Sequence, residues 1–356
     1  MADKGYRLLV LALVLASVIG GCGGPPARET AGTKDANKKI KIGFSMDTLV
    51  QERWIRDRDI FVARASELGA EVIVQIASGD GGDQERQAQY LLEQGINVLV
   101  IIPHDADKAA SIVHAAKSRG VRVISYDRLV KNAATDLYIS FDNIKVGELM
   151  AGALAKKVPE GNYVIINGTK LDNNAYMFNQ GYKNVLNPLI AEKKITLVDE
   201  QWVNEWRYED AFNYVESDLR TGKEIDAIVA ANDTLAGAAV DALSEMRLAG
   251  KVAVVGHDAD LDGCQRVVEG TQLATIYKPI DKIAKAAAEY AVKMAQGGKV
   301  EADDVIFDGK TDVPYYKIEP LLVTKDNMMQ VIIGDDFHRL EEVYMNIPKQ
   351  DWPKAN

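Results

Sequence analysis

Cysteine and histidine are scarce in this chain. Cys22 and Cys264 are its two cysteines, and His104, His114, His257 and His338 its four histidines. None sits at the spacing of a zinc site or a redox pair, and no nucleophile–base pair can be built from them, so no metal or cofactor is expected. Positive charge is also short. Lys and Arg number 42 against 52 Asp and Glu, a formal net charge of −10. Nucleic-acid binding needs a basic footprint, which is missing here. Beyond the first twenty residues no apolar run reaches the length needed to cross a bilayer.

What is present begins at the N-terminus. Lys4 and Arg7 precede an apolar run over residues 8–19, which ends in Ile19-Gly20-Gly21-Cys22. A run this short fits the core of a signal peptide, and the residues around Cys22 have the form of a lipobox. Residues 1–21 are therefore expected to be a signal peptide, with Cys22 acylated after cleavage. The chain would then be exported and lipid-anchored to the outer face of the cytoplasmic membrane, or periplasmic. Acylation would leave Cys264 without a disulfide partner, as a small buried residue on a helix. Residues 22–39 hold hardly any large apolar side chain and are expected to be a flexible linker.

From residue 40 short β-rich runs alternate with amphipathic ones. Strands are expected over 40–46, 71–77, 98–102, 121–126 and 137–140, with helices over 53–68, 82–94 and 106–119. Ile60, Phe61, Ala65 and Leu68 recur at helical spacing. Val98-Leu99-Val100-Ile101-Ile102 is the continuous apolar run of a strand covered on both faces. The rhythm then restarts, with strands over 163–167, 195–203, 227–231, 252–256 and 273–277. Its helices are expected over 174–192, 208–221, 235–246 and 260–270, followed by a long one over 280–296. The pattern predicts an α/β chain of two doubly wound parallel-sheet lobes. Gly79-Asp80-Gly81-Gly82 lacks the Gly-Lys-Ser/Thr ending of a phosphate loop and is expected to be a turn.

Ligands in such sheets bind beyond the carboxyl ends of the strands. The residues there are Gln51-Glu52-Arg53-Trp54, Asp127-Arg128, Asp172-Asn173-Asn174, Trp202, Trp206, Asn232-Asp233, His257-Asp258 and Lys278. Forked polar groups that accept and donate suit hydroxyls, each of which does both. Indole faces suit the C–H faces of a pyranose. Singly, each has a plainer reading: Asp127-Arg128 as a surface ion pair, Asp172 as a helix cap, Trp54 as core. Their recurrence at one sheet edge favours a sugar site.

These residues carry a resemblance. Glu52-Arg53-Trp54, residues 56–62 and 98–103, Tyr126-Asp127-Arg128, residues 138–143, Asp172-Asn173-Asn174, Gln201-Trp202-Val203, Asp258-Ala259-Asp260 and Tyr277-Lys278-Pro279 resemble motifs of the D-xylose-binding proteins of bacterial ABC transporters. These belong to the ribose-binding-like group of periplasmic binding proteins. The resemblance runs from about residue 39 to about residue 337. It implies a type I fold with a three-segment hinge near Asp142-Asn143, Lys278-Pro279 and Lys310-Thr311. The first lobe would comprise 40–144 and 280–310, the second 145–279 and 311–340, and 341–356 would be a polar tail. Carried over residue by residue, it implies Arg53, Asp127, Arg128, Asp172, Asn174, Asn232, Asp258 and Lys278 as hydrogen-bonding groups, with Trp54 and Trp206 sandwiching the ring. His257 stands where some relatives carry Gln, and is expected behind the contacting residues.

The expected function is capture of D-xylose, or a closely related monosaccharide, by cleft closure and delivery to an ABC permease and its ATPase. A sensor passing its closed state to a membrane histidine kinase or chemoreceptor is the alternative. An enzyme is disfavoured, because Arg and Lys beside Asp127 and Asp258 would keep both carboxyls ionised and deny it a general acid. A repressor is disfavoured too, since a signal peptide and linker occupy the place of a DNA-binding head.

Overall fold

The computed structural model describes residues 39–302 and 304–353. The expected signal peptide, Cys22 and the linker up to residue 38 lie outside the described residues.

The first sheet gathers strands β1 (Lys41–Met46), β2 (Glu71–Ile76), β3 (Val98–Ile101), β4 (Arg122–Tyr126) and β5 (Leu137–Phe141). Helices α1 (Arg53–Glu67), α2 (Gly81–Glu93) and α3 (Ala110–Ser118) cross between them. β3 is buried on every residue, as its continuous apolar run requires. α2 begins where the glycine-rich turn ends, and Asp80 caps it by accepting from Asp83 N at 2.7 Å.

A second unit comes next. It holds α4 (Asn143–Lys157), β6 (Gly161–Asn167), α5 (Asn173–Ala191), β7 (Ile195–Trp202), α6 (Tyr208–Arg220), β8 (Ala227–Ala230), α7 (Asp233–Glu245), β9 (Ala253–Val255), α8 (Leu261–Glu269) and β10 (Thr275–Tyr277). Its parallel sheet runs β7-β6-β8-β9. A single bridge from Val255 to Ala274 brings the segment leading into β10 alongside β9.

The chain then returns. α9 (Ile280–Ala295) packs on α1 and the first sheet through Ala284, Ala287, Ala288 and Ala291, small residues that allow close approach. β11 (Asp304–Phe307) and β12 (Asp312–Ile318) extend that sheet to the order β11-β12-β5-β4-β3-β1-β2. The chain crosses a third time, and β13 (Leu321–Val323) pairs antiparallel with β10.

Three expectations change. The helix α4 was not foreseen from the sequence. The third crossing falls at residues 319–320, not near Lys310-Thr311, because β12 pairs in parallel with β5 from Tyr315↔Tyr138 to Ile318↔Phe141. Residues 311–318 therefore belong to the first lobe. The segment from 341 is also more than a polar tail. After a π-helical turn over Met329–Ile333, α10 (Leu340–Val343) carries Val343 and Tyr344 into a core with Cys264, Val267 and Val268 of α8. Trp352 closes over them, its ring centroid 6.3 Å from that of Tyr344. Cys264 is a free, fully buried thiol.

Candidate functional site

Both sheets direct the carboxyl ends of their strands at one small cavity between the lobes. All ten residues expected from the sequence line it: Arg53, Trp54, Asp127, Arg128, Asp172, Asn174, Trp206, Asn232, Asp258 and Lys278. None is more than 8% exposed, so the two lobes are closed over the site. Gln51, Phe178 and His257 complete the lining. Trp202 stays outside and packs against Tyr176, 4.9 Å between ring centroids.

Arg53 and Trp54 open α1. The Arg53 guanidinium lies 4.3 Å from the Trp54 ring centroid and is shared by three carboxylates. Nε meets Asp57 Oδ2 at 3.1 Å, Nη2 meets Asp127 Oδ2 at 2.8 Å, and Nη1 meets Asp258 Oδ1 at 3.5 Å. Arg128 is held likewise, by Asp47 at 2.7 Å and by Asp172 at 2.9 Å. Lys278 Nζ sits 2.7 Å from Asp258 Oδ1. Arg53 to Asp258 and Arg128 to Asp172 both bridge the lobes. Further bridges come from Leu261 N donating to Glu52 Oε2 at 3.0 Å and from Ala106 N donating to Leu171 O at 2.9 Å.

Helix caps position further groups of the site. Asp172 caps α5 by accepting from Asn174 N at 2.9 Å, so its plainer role coexists with its ion pair. Asn232 caps α7 through Oδ1, which accepts from Leu235 N at 2.9 Å, leaving its amide nitrogen for other work. Asn174 Nδ2 donates to Asp127 O at 3.1 Å and Oδ1 at 3.2 Å.

Strain concentrates here. Asp127, Trp206 and Asp258 hold φ of 60°, 61° and 100°. Non-glycine residues in that region cost on the order of 1–3 kcal/mol each and persist only where their surroundings impose them. The Asp127 carbonyl is fixed by donors from Tyr138, Ser140 and Asn174. At the Asp258 turn, Asp258 N donates to Ile276 O and Ala259 N to Thr275 Oγ1.

The Trp206 ring lies flat on Gly168, where an added Cβ would come within 2.3 Å of Cη2. Gly168→Ala is therefore expected to push the indole into the cavity and weaken ligand binding by about tenfold or more, with the fold kept. Calorimetric titration beside circular dichroism checks this, and unchanged affinity would refute it.

Burial pulls against charge at the site. Alone it would raise Asp258, but Lys278, with His257 and Arg53, holds that carboxyl well below the usual range. Burial, reinforced by Lys278, pushes His257 down to about 4. His257 is thus neutral at pH 7, and it lines the cavity instead of standing behind it. An unfolded histidine titrates near 6.5. Between roughly pH 6.5 and 4 the unfolded chain binds the extra proton, so stability is lost as pH falls through that window and fully present above it. His257→Asn is expected to flatten the fall in melting temperature between pH 6.5 and 4, and an unaltered pH profile would exclude this source.

Sequence reasoning missed Phe178, although it stands one helical turn after Asn174 on the same face of α5. It also missed Asp47 and Asp57, whose burial as partners of Arg128 and Arg53 has no local signature. Among the described residues, Trp206 Nε1 and His257 Nε2 have no hydrogen-bond partner at the cavity, while His257 Nδ1 lies 3.2 Å from Asp258 Oδ1. Native proteins leave few such groups unpaired, and here they face the cavity between the lobes.

Two lobes of parallel sheet joined by three crossings, with a buried polar cleft between them, define a type I solute-binding fold. The family model described as periplasmic binding protein domain matches residues 42–299, and the chain belongs to that family. It is 46% identical over 309 residues to the D-xylose-binding periplasmic protein of Haemophilus influenzae, covering 86% of this chain and 93% of that one. The D-xylose-binding periplasmic protein of Escherichia coli is 45% identical over 307 residues, with the same coverage. Among solved structures, a carbohydrate transporter solute binding protein from Chloroflexus aurantiacus in complex with D-glucose superposes with a TM-score of 0.81 at 28% identity. That superposition covers 86% of this chain and 98% of the other.

Proposed function

We propose that this chain captures D-xylose, or a closely related pyranose, by closing its two lobes around the sugar, and hands it unaltered to an ABC permease and its ATPase. The observation that carries this reading is the charge pattern of the cavity. Arg53, Arg128 and Lys278 are each already matched by carboxylates. An anion would have to compete with those partners. A neutral polyol instead meets oriented acceptors on Asp127 and Asp258, donors on Asn232 and Lys278, and two indole rings for its C–H faces. Closed-state bridges such as Arg53 to Asp258 give a guest touching both lobes a means of favouring closure. The relatives named for D-xylose support the choice of sugar.

Export follows from the same reading, with residues 1–21 removed and Cys22 acylated as the anchor. Titration of the mature chain with D-xylose, D-glucose, D-ribose and L-arabinose, followed by tryptophan fluorescence and calorimetry, tests the assignment. D-xylose is expected to bind tightest. Asp258→Ala is expected to weaken it by about 1.5–3 kcal/mol, the worth of a charge-assisted hydrogen bond. Equal affinity in that variant would remove Asp258 from the site, and no response to any of the four sugars would remove the function.

A further inference from the structure

A second space, of about 120 Å³, lies between the same two lobes. Gln51, Arg128 and Trp206 line both spaces, so they are neighbours separated by three side chains. Thr48 and His104 come from the first lobe, Thr169, Leu171 and Glu205 from the second. We propose that this space is a subsite for the second ring of a pentose disaccharide whose first ring fills the sugar cavity. The proposal rests on the sugar-binding reading above and extends its substrate class.

The backbone points the same way. Glu205 and Trp206 are consecutive non-glycine residues with φ of 49° and 61°. They are the central pair of a turn closed by Arg207 N donating to Asn204 O at 2.9 Å, which requires positive φ at both, a conformation that side-chain-bearing residues hold only where their surroundings impose it. The turn gives its indole to the sugar cavity as well as to the second space, and its carboxylate to the second space. Gly168, by lacking a side chain, makes room for that indole.

The lining suits a neutral hydroxylated ring. Glu205 is half exposed, and its Oε2 has Arg207 Nη2 only at 3.4 Å, leaving acceptor capacity. Thr48 Oγ1 accepts from Val50 N at 3.1 Å and Thr169 Oγ1 from Leu171 N at 3.3 Å, which leaves each hydroxyl proton to donate. His104 Nδ1 is fixed at 2.8 Å from Asp47 Oδ1. Leu171 and Val50 supply apolar surface. Among the described residues no lysine lines the space, and Arg128 is engaged by Asp47 and Asp172, so an anionic substituent finds no free cation there. Gln51 is the softest part of the partition. Its Oε1 accepts one hydrogen bond from Trp54 Nε1 at 2.8 Å, and turning it aside would join the two spaces.

Calorimetry on the mature chain with D-xylose and with 1,4-β-linked xylobiose tests this. The wild type is expected to bind xylobiose within about tenfold of D-xylose. Thr48→Trp, which fills the second space, is expected to cost the disaccharide about tenfold or more while D-xylose changes by less than about twofold. Glu205→Ala is expected to weaken xylobiose alone. Binding of D-xylose with no binding of xylobiose overturns the subsite and leaves the sugar-binding reading standing. Equal losses for both sugars in Thr48→Trp also overturn it. If D-xylose itself fails to bind, the function falls and the subsite with it.

Discussion

Arg53→Ala is expected to lower the unfolding free energy by about 3–5 kcal/mol and to abolish sugar capture, because it strips one shared cation from three buried carboxylates. Asp127 keeps a hydrogen bond from Asn174 and Asp258 keeps Lys278. Among the described residues Asp57 keeps only the hydroxyl of Tyr126, in a place with no solvent exposure at all. Burial already pushes the Asp57 carboxyl up while Arg53 holds it down, and the variant loses that opposition. The guanidinium also fills the space between the Trp54 and Phe141 rings, at 4.3 and 5.7 Å from their centroids, so packing is lost with charge. Arg53→Lys keeps the charge and loses the fork, and its loss is expected to be smaller but substantial. Urea unfolding of the three proteins measures the effect, and a loss below about 1 kcal/mol in the alanine variant would refute the shared-cation account.

Gly181→Ala is expected to cost about 3 kcal/mol, the upper range for overpacking, and to weaken the site from a distance. A Cβ at Gly181 would lie 2.2 Å from Ile144 O and 2.8 Å from Glu148 N, both backbone atoms of α4. Backbone cannot swing aside, so α4 and α5 must separate. Gly147 on the facing helix is equally tight, its would-be Cβ 2.2 Å from Phe178 O. α5 carries Asn174 and Phe178 into the cavity, so a shift of this helix displaces two lining residues. A lowered melting temperature with reduced sugar affinity is the expected pair of results. A variant as stable as the wild type would mean that the helices can part freely.

Most strands were legible in the sequence because they obey simple rules, whereas the choice of the ten residues that line the cavity from among the strand-end residues came from the family resemblance. Buried parallel strands such as β3 are continuous apolar runs, and residues just beyond a strand's carboxyl end face the cleft. The failures have physical causes too. α4 faces its neighbour with Gly147 and Ala151 among its buried residues, which makes its apolar stripe faint at the point where the close helix contact demands small residues. β12 contains Pro314, ordinarily a sign against a central strand. Pro314 sits opposite Val305 of β11, and pairing with β5 starts one residue later, at Tyr315. The third lobe boundary had come from the resemblance alone, and the pairing of β12 with β5 moves it to residues 319–320. Asp47 and Asp57 were illegible for another reason, since only the folded chain brings them to Arg128 and Arg53.

The ion pairs of the cleft bear on how the protein behaves in a crowded ionic medium. Arg53, Arg128 and Lys278 face Asp47, Asp57, Asp127, Asp172 and Asp258, so carboxylates outnumber cations around the cavity. Dissolved phosphate and chloride thus gain nothing by entering and do not compete for the space. Buried pairs are also screened far less than surface ones. Uptake of an uncharged guest should therefore proceed much the same in dilute and in brackish surroundings.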